Sequence, residues 1–480
     1  MLDQLTNLMD AAIDRCAYAD ARHVVHDAET VWVRDGRVDR VQRDRSEGVG
    51  VRVRVGGAWG FAATSDPSRR AIERALARSL AIAETQPTVV GHPLAPTEPA
   101  RGSWTGPCEL DPFGVTLEDK VELLLAAETA MRGDPRIVRA EASARSALSE
   151  RTFASTEGAA CSQRSHECGA GIGVIALQGN ELQVRSYPAA HEGQSAAGGW
   201  EIVERLALAQ HAPRIADEAV ALLAAPACPV GEMTVVLGGE QVALQLHESV
   251  GHALELDRML GSEASYAGTS WVSAADVGSL RYGSELMTVT ADATLDGGLG
   301  SFAWDDEGVK ARRLELIEDG LLRSALSSRE TAGEIGESLS GGCMRADGWA
   351  RQPIVRMTNV SLAPGDAGSL EKLIADTDRG LLLETNRSWS IDDRRLNFQF
   401  GCELAREIVD GRLGRLYRNP TYTGVTPHFW RSLDAVCSEP EWRLRGLLNC
   451  GKGEPGQIAH VSHGTAPARF REVQVGVASA

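Results

Sequence analysis

No run in this 480-residue sequence is apolar enough to cross a bilayer. The richest stretch, Ala219 to Val230, is interrupted by Pro226 and Pro229 and falls short of the roughly 18 residues a span needs. No CxxC pair occurs, and the nine cysteines are scattered and odd in number, which argues against a complete disulfide framework and for a reducing compartment. Positive charge is scarce: 49 Lys and Arg face 66 Asp and Glu, a formal charge of -17, and no basic cluster is dense enough to track phosphates. Nucleic acid is therefore not an expected ligand. The opening residues MLDQLTNLMDAAIDRC carry acids where a signal peptide needs a cationic flank, so the expectation is a soluble, cytoplasmic protein without a membrane partner. Aromatic residues make up only 5%, yet hydrophobic residues reach 43% and charged ones 24%, the proportions of an ordered globular chain.

What is present changes character once along the chain. A helical stripe runs from Leu2 to Ile13, two short apolar segments flank Asp35-Gly36, and Val49, Val51, Val53 and Val55 alternate up to Gly56-Gly57, as hairpin strands do. Pro67 opens a helix to about Ala83, with Ser65 or Asp66 as its cap. The proline-rich segment 87–112 reads as an irregular surface connection. A helix over 117–132, strands near 137–148, 151–156, 169–177 and 181–187, and a long helix over 199–224 follow. Past Pro226–Pro229 comes a strand at Thr234–Leu237, a helix from about Gln241, and then mostly β-structure. Two hairpins stand out there, Leu314–Ile317 with Leu321–Leu326 about Asp319-Gly320, and Leu404–Val409 with Arg412–Tyr417 about Asp410-Gly411. The expected fold class is α+β in two domains: residues 1–226 as a mixed α/β domain and residues 227–480 as a mainly antiparallel β domain carrying the helix described next.

That helix holds His247-Glu248-Ser249-Val250-Gly251-His252, an HExxxH motif. Histidines four apart lie about 40° apart around a helix and meet at one metal; five apart they lie about 140° apart, too wide for one ion. A single widened, π-type turn would restore a common face, and Gly251 supplies backbone freedom for it. Val242, Leu244, Leu246, Val250, Leu254 and Leu256 would bury the helix, and two buried imidazoles need partners. A catalytic metal normally takes a third protein ligand. By local sequence Cys450, in the glycine-dense segment Leu447 to Gln457, is the strongest candidate; His460 and His463 remain alternatives that spacing does not separate.

Several blocks, in order, resemble the TldD/PmbA metallopeptidases, in the TldD-like branch that keeps the metal motif. They are Tyr18 to Arg22, Gly48 to Arg52 with Ala58 to Ala62, His247 to His252 with Glu255, Thr385 to Asp392, Asn397 to Gly401, and Asn449 to Lys452. The resemblance implies that His247, His252 and Cys450 hold one Zn²⁺ per subunit. It further implies a dimer, either with a second copy or with a TldE/PmbA-like paralogue, enclosing a channel that admits unfolded peptides or small proteins, peptide natural-product precursors among them. The tail from Pro455 to Arg471 departs from the best-known branch, which leaves partner and substrate choice open.

On this reading Glu248 is the catalytic general base that takes a proton from water activated by the metal. The oxyanion donor is sought among Arg394, Arg395, Tyr422, His460 and His463. Glu255 would orient a liganding imidazole, and Trp389 and Asp392 would line a peptide groove. Two rivals are a metal-bearing but non-catalytic partner subunit and a small-molecule amidohydrolase.

Overall fold

Very long antiparallel strands dominate the first half of the chain. Tyr18–Arg34 and Arg37–Val55 run to 17 and 19 residues and turn at Asp35-Gly36, whose φ angles of 51° and 79° are what a two-residue hairpin turn requires. The alternating valines are only the buried end of the second strand. Residues Arg37 to Ser46 are exposed on both faces, so no apolar alternation marks them. Ile137–Ser155 and Ala160–Gln178 are likewise single 19-residue strands where the sequence shows only shorter pieces. The sheet order is Ala58–Thr64, Arg37–Val55, Tyr18–Arg34, Ile137–Ser155, Ala160–Gln178 and Arg101–Thr105, with Glu181–Tyr187 and Gln194–Ala197 also pairing Ala160–Gln178. The computed structural model describes residues 1–87, 93–190 and 193–478. Of the expected irregular connection over 87–112, residues 88–92 lie outside the described ones, and Arg101–Thr105 is a strand, paired in parallel with residues 160–164.

Helices cover this sheet. Leu2–Asp10 and Arg69–Thr85 pack on Val49, Val51 and Val53. The second starts from Ser68 rather than from Ser65 or Asp66, although the Asp66 carboxylate accepts the Ser68 N–H at 2.9 Å. Leu117–Ala130, capped by the Thr116 hydroxyl, and Leu208–Ala224 lie over Ala140, Ala142, Ala144 and Ala170, small residues that allow close approach. The single helix expected over 199–224 is broken at Ala207, whose φ of 47° separates Glu201–Arg205 from Leu208–Ala224.

The later half closes on itself. Strands Arg379–Ile391, Gly231–Leu237, Ala468–Val477, Pro420–Val425 and Asn397–Val409 pair in that order, and the last returns to the first, forming a small barrel. Hairpin turns occur at Asp410-Gly411 and Asp319-Gly320, all four residues with φ between 48° and 77°. The second hairpin is shorter than expected: its return strand is only Leu321–Leu322, and Leu326 bridges to Glu255 instead. The few aromatics concentrate here, with Phe398, Phe400, Tyr422, Phe429, Trp430 and Phe470 in one buried cluster and the Phe429 and Phe470 rings stacked at 4.2 Å. Val242, Leu246 and Val250 join that core, which seats the histidine-bearing helix against the barrel.

Candidate metal centre

The helix Gly239–Leu246 does not continue regularly. It runs into a π-helical turn at His247–Gly251 and a single tight turn at His252–Leu254, so the two imidazoles come to one side with ring centroids 4.7 Å apart. Packing and side-chain hydrogen bonds hold the wide turn open. The Ser249 hydroxyl donates to the Gln245 carbonyl at 2.6 Å and accepts from Trp430 Nε1 at 2.9 Å, while Tyr282 O–H donates to the Ser249 carbonyl. Gly251 is needed for a reason other than backbone freedom. Its φ of −55° is ordinary, but a Cβ there would sit 2.1 Å from Met357 Sδ.

Cys450 reaches these rings from a strand, not from the loop its glycines suggest. It belongs to Arg443–Lys452 and faces Ala459 across the ribbon, just past a register shift between Leu447 and Cys450. His247, His252 and Cys450 are all buried, and one donor atom from each lies within 4.8 Å of the others. Cys450 Sγ is 3.5 Å from His252 Nε2. A tetrahedral ion with bonds of about 2.0 Å to nitrogen and 2.3 Å to sulfur separates those two atoms by about 3.5 Å, so this edge already has the right length.

The surrounding groups fix which nitrogens are free. His463 Nδ1 donates to the Val360 carbonyl at 2.7 Å, which leaves its Nε2 to accept from His247 Nδ1 at 2.8 Å. His252 Nδ1 donates to Glu255 Oε2 at 2.9 Å. Both Nε2 lone pairs therefore remain available, held by buried outer partners of the kind metal ligands use. Burial pushes the imidazole pKa of His247 down to about 4 and that of His252 well below its usual value, so both are neutral near pH 7. Burial alone would raise the Cys450 thiol, but the thiol lies below its ordinary value, and the Arg356 guanidinium 3.2 Å from its sulfur favours the thiolate. Neutral imidazoles and a thiolate-prone sulfur are the donor set a divalent metal takes.

Glu255, fully buried, also faces Lys452 Nζ at 3.4 Å, and Lys452 is fixed by Asp257 at 2.6 Å. Arg356 Nη2, 3.2 Å from Cys450 Sγ, is a partner that sequence reasoning missed, because a lone arginine in a segment without periodicity carries no signal.

A cavity of about 370 Å³ opens over the donors, lined by His247, Glu248, His252, Cys450, Trp389 and Arg395 among others. Glu248 Oε2 accepts from Arg395 Nη1 at 2.6 Å. Of the five residues considered as oxyanion donors, Arg395 alone lines this cavity. Arg394 is exposed, Tyr422 is bonded to Gln241 and Gln245 inside the barrel, His460 pairs with Glu167 at 2.5 Å, and His463 stands behind His247 rather than at the donors. Trp389, 39% exposed, is a wall of the cavity. Asp392 is not: its carboxylate accepts from Leu396 N, Asn397 N and Asn397 Nδ2, which fixes a turn.

Three family signatures match: PmbA/TldA metallopeptidase domain 1 over residues 19–83, the central domain over 110–225 and the C-terminal domain over 230–477. A protein described as a metalloprotease from Methanothermobacter thermautotrophicus is 30% identical, covering 99% of this chain and 98% of its own. A zinc metalloprotease TldD homolog from Saccharolobus solfataricus is 25% identical over 51% of this chain and 52% of its own. In fold the chain is similar to TldE from Thermococcus kodakarensis, with a TM-score of 0.77 at 16% identity, covering 98% of this chain and 100% of the other. No helix among the described residues is long and apolar enough to cross a membrane. The chain belongs to the PmbA/TldD metallopeptidase family and is a metalloprotease with a His/His/Cys metal site.

Proposed function

We propose that this chain is a zinc-dependent peptidase acting on unfolded peptides or small proteins, with His247, His252 and Cys450 holding one zinc ion and Glu248 as general base. The observation that carries the reading is that the three buried donors and the Glu248 carboxylate share one cavity. Zinc is favoured by the mixed imidazole and thiolate set and by the zinc metalloprotease name of the Saccharolobus relative. When bound, the ion supplies Lewis acidity that polarises a carbonyl oxygen and acidifies water.

The protein side chains do the rest. Arg395 occupies Glu248 Oε2 and so orients the carboxylate, leaving Oε1, which has no hydrogen-bond partner among the described residues, to take a proton from water. Glu248 then delivers that proton to the departing amide nitrogen. The remaining guanidinium donors of Arg395 are the best-placed protein group for the developing oxyanion. Trp389 offers a flat, half-exposed wall beside which an extended chain can lie.

A polypeptide substrate is favoured over a small amide because the cavity over the donors shares Leu244, Trp389, Leu447 and Asn449 with a second one of about 400 Å³, giving a groove rather than a pit. The signatures ending at 225 and beginning at 230 support a division into domains 1–226 and 227–480. We infer a dimer, with a second copy or with a TldE/PmbA-like paralogue; TldE, similar in fold, is the kind of partner the second case requires.

Glu248→Gln decides the assignment of the base. The variant is expected to keep one equivalent of metal while cleavage of an unstructured peptide falls about 10²- to 10⁴-fold. Cleavage at the unmodified rate would overturn the role of Glu248, and cleavage of simple acyl amides but not of peptides would favour the amidohydrolase reading.

A further inference from the structure

The second part of the groove contains two cationic side chains that no hydrogen bond or ion pair among the described residues satisfies. Arg445 and Arg145 both line the cavity of about 400 Å³ that adjoins the metal centre, Arg445 from the cysteine-bearing strand Arg443–Lys452 and Arg145 from Ile137–Ser155 of the sheet. Among the described residues neither side chain makes a hydrogen bond or an ion pair, and the Nε of each is buried without a partner. Among the described residues Glu240 is the one acid lining the cavity, and it is partly spent, its Oε1 accepting the Thr385 N–H at 2.8 Å. Buried guanidinium nitrogens that meet no acceptor among the described residues are costly unless an acceptor brought from outside completes them, and a negatively charged one does so best.

A second feature adds to that demand. The Arg445 guanidinium packs over the backbone of Gly239, where a Cβ would lie 2.5 Å from its Nη2. Gly239 is the first residue of the helix Gly239–Leu246, so a cation stands at the positive end of the helix dipole, where it is disfavoured and where an anion is favoured. Burial also holds the Arg445 pKa below its ordinary range, despite the nearby Glu240. The site is thus primed for a negative group brought from outside.

We propose that Arg445 and Arg145 form a carboxylate-binding subsite of the substrate groove, which selects peptides carrying a negative charge at a set distance from the cleaved bond. This rests on the peptidase reading above. Arg445 stands five positions before Cys450 on one strand, about 16 Å at the strand rise of about 3.3 Å per residue. An extended substrate with the same rise places the recognised carboxylate about five residues from the cleaved bond. The carboxylate is either the chain terminus or an Asp or Glu side chain, and a planar guanidinium suits both equally.

The test uses the full-length metal-loaded protein and one unstructured peptide in three forms. One is neutral and C-terminally amidated, one has a free C-terminus about five residues beyond the cleaved bond, and one is amidated with a single Glu at that place. Expected is a preference of about tenfold in kcat/KM, carried by KM, for one or both charged forms over the neutral one, and whichever charged form shows it identifies the source. Arg445→Gln should collapse the preference to below twofold, Arg445→Lys should keep part of it, and Arg445→Glu should invert it toward a peptide with Lys at that place. Cleavage of all three forms at the same rate, or a preference that survives Arg445→Gln, overturns the subsite while leaving the peptidase assignment intact. Failure to cleave any of the three overturns both.

Discussion

Two clusters of ionisable groups are buried to the same depth in this protein. His247, His252 and Cys450 are 2–3% exposed, and Asp305, Asp306 and Glu307, where the barrel-bearing half meets the long-stranded sheet, are each 3% exposed. In the acidic cluster most oxygens are already taken. Asp305 accepts the backbone N–H groups of Glu307, Val309 and Met344, and Asp306 accepts that of Ala346 and faces Arg22 at 3.5 Å. Glu307 meets Arg52 at 3.5 Å and the Arg329 N–H at 2.9 Å. In the histidine cluster the outward nitrogens are held by Glu255 and His463, while the inward imidazole nitrogens face the Cys450 sulfur, whose one other polar neighbour among the described residues is Arg356. Burial alone therefore does not mark a site; what marks it is lone pairs that the fold leaves unspent.

The largest effect that breaks the comparison is expected from Cys450→Ser. Loss of the sulfur should abolish tight metal binding, lowering metal content on the purified protein to near zero and peptide cleavage by at least about 10³-fold, in line with the loss of one of three ligands. Retention of a full equivalent of metal would show that sulfur is not a ligand.

Next is Arg52→Met in the other cluster. It leaves Asp20, now bonded to Arg52 at 2.6 Å, and Glu307 as buried acids without their cation, and is expected to cost about 3–5 kcal/mol in chemical denaturation. Metal content per folded molecule should not change. If the variant loses metal without losing stability, the two clusters are not separate in role.

Smallest of the three is Glu255→Gln. The amide keeps the shape and can still accept from His252 Nδ1, but without charge, and metal affinity measured against a competing chelator is expected to fall about 10- to 100-fold. An unchanged affinity would make Glu255 a partner of Lys452 and Arg258 only.

Much of the metal centre was legible in the sequence because its information is local. The five-residue interval between His247 and His252 is incompatible with one ion on a regular helix, and the wide turn at His247–Gly251 is present in the structure. The role of Gly251 was misread, since its reason is Met357, a residue 106 positions away that no local pattern exposes. The placements of Arg395 against Glu248 and of Arg356 against Cys450 depend on pairings across more than 90 residues and were invisible for the same reason. Strand lengths failed where the chain has no buried face to alternate, as from Arg37 to Ser46, and the helix break at Ala207 has neither a glycine nor a proline at the break to announce it.

By itself the sequence determined the α+β character, the hairpin turns at Asp-Gly pairs, the histidine-bearing helix and the candidacy of Cys450, since each depends on residues within a few positions of one another. Tertiary structure alone decided the closure of the barrel, the distances between sulfur and imidazole, and which candidate partners face the cavity. Those depend on the register in which distant strands pair, which sets where side chains from separate segments meet.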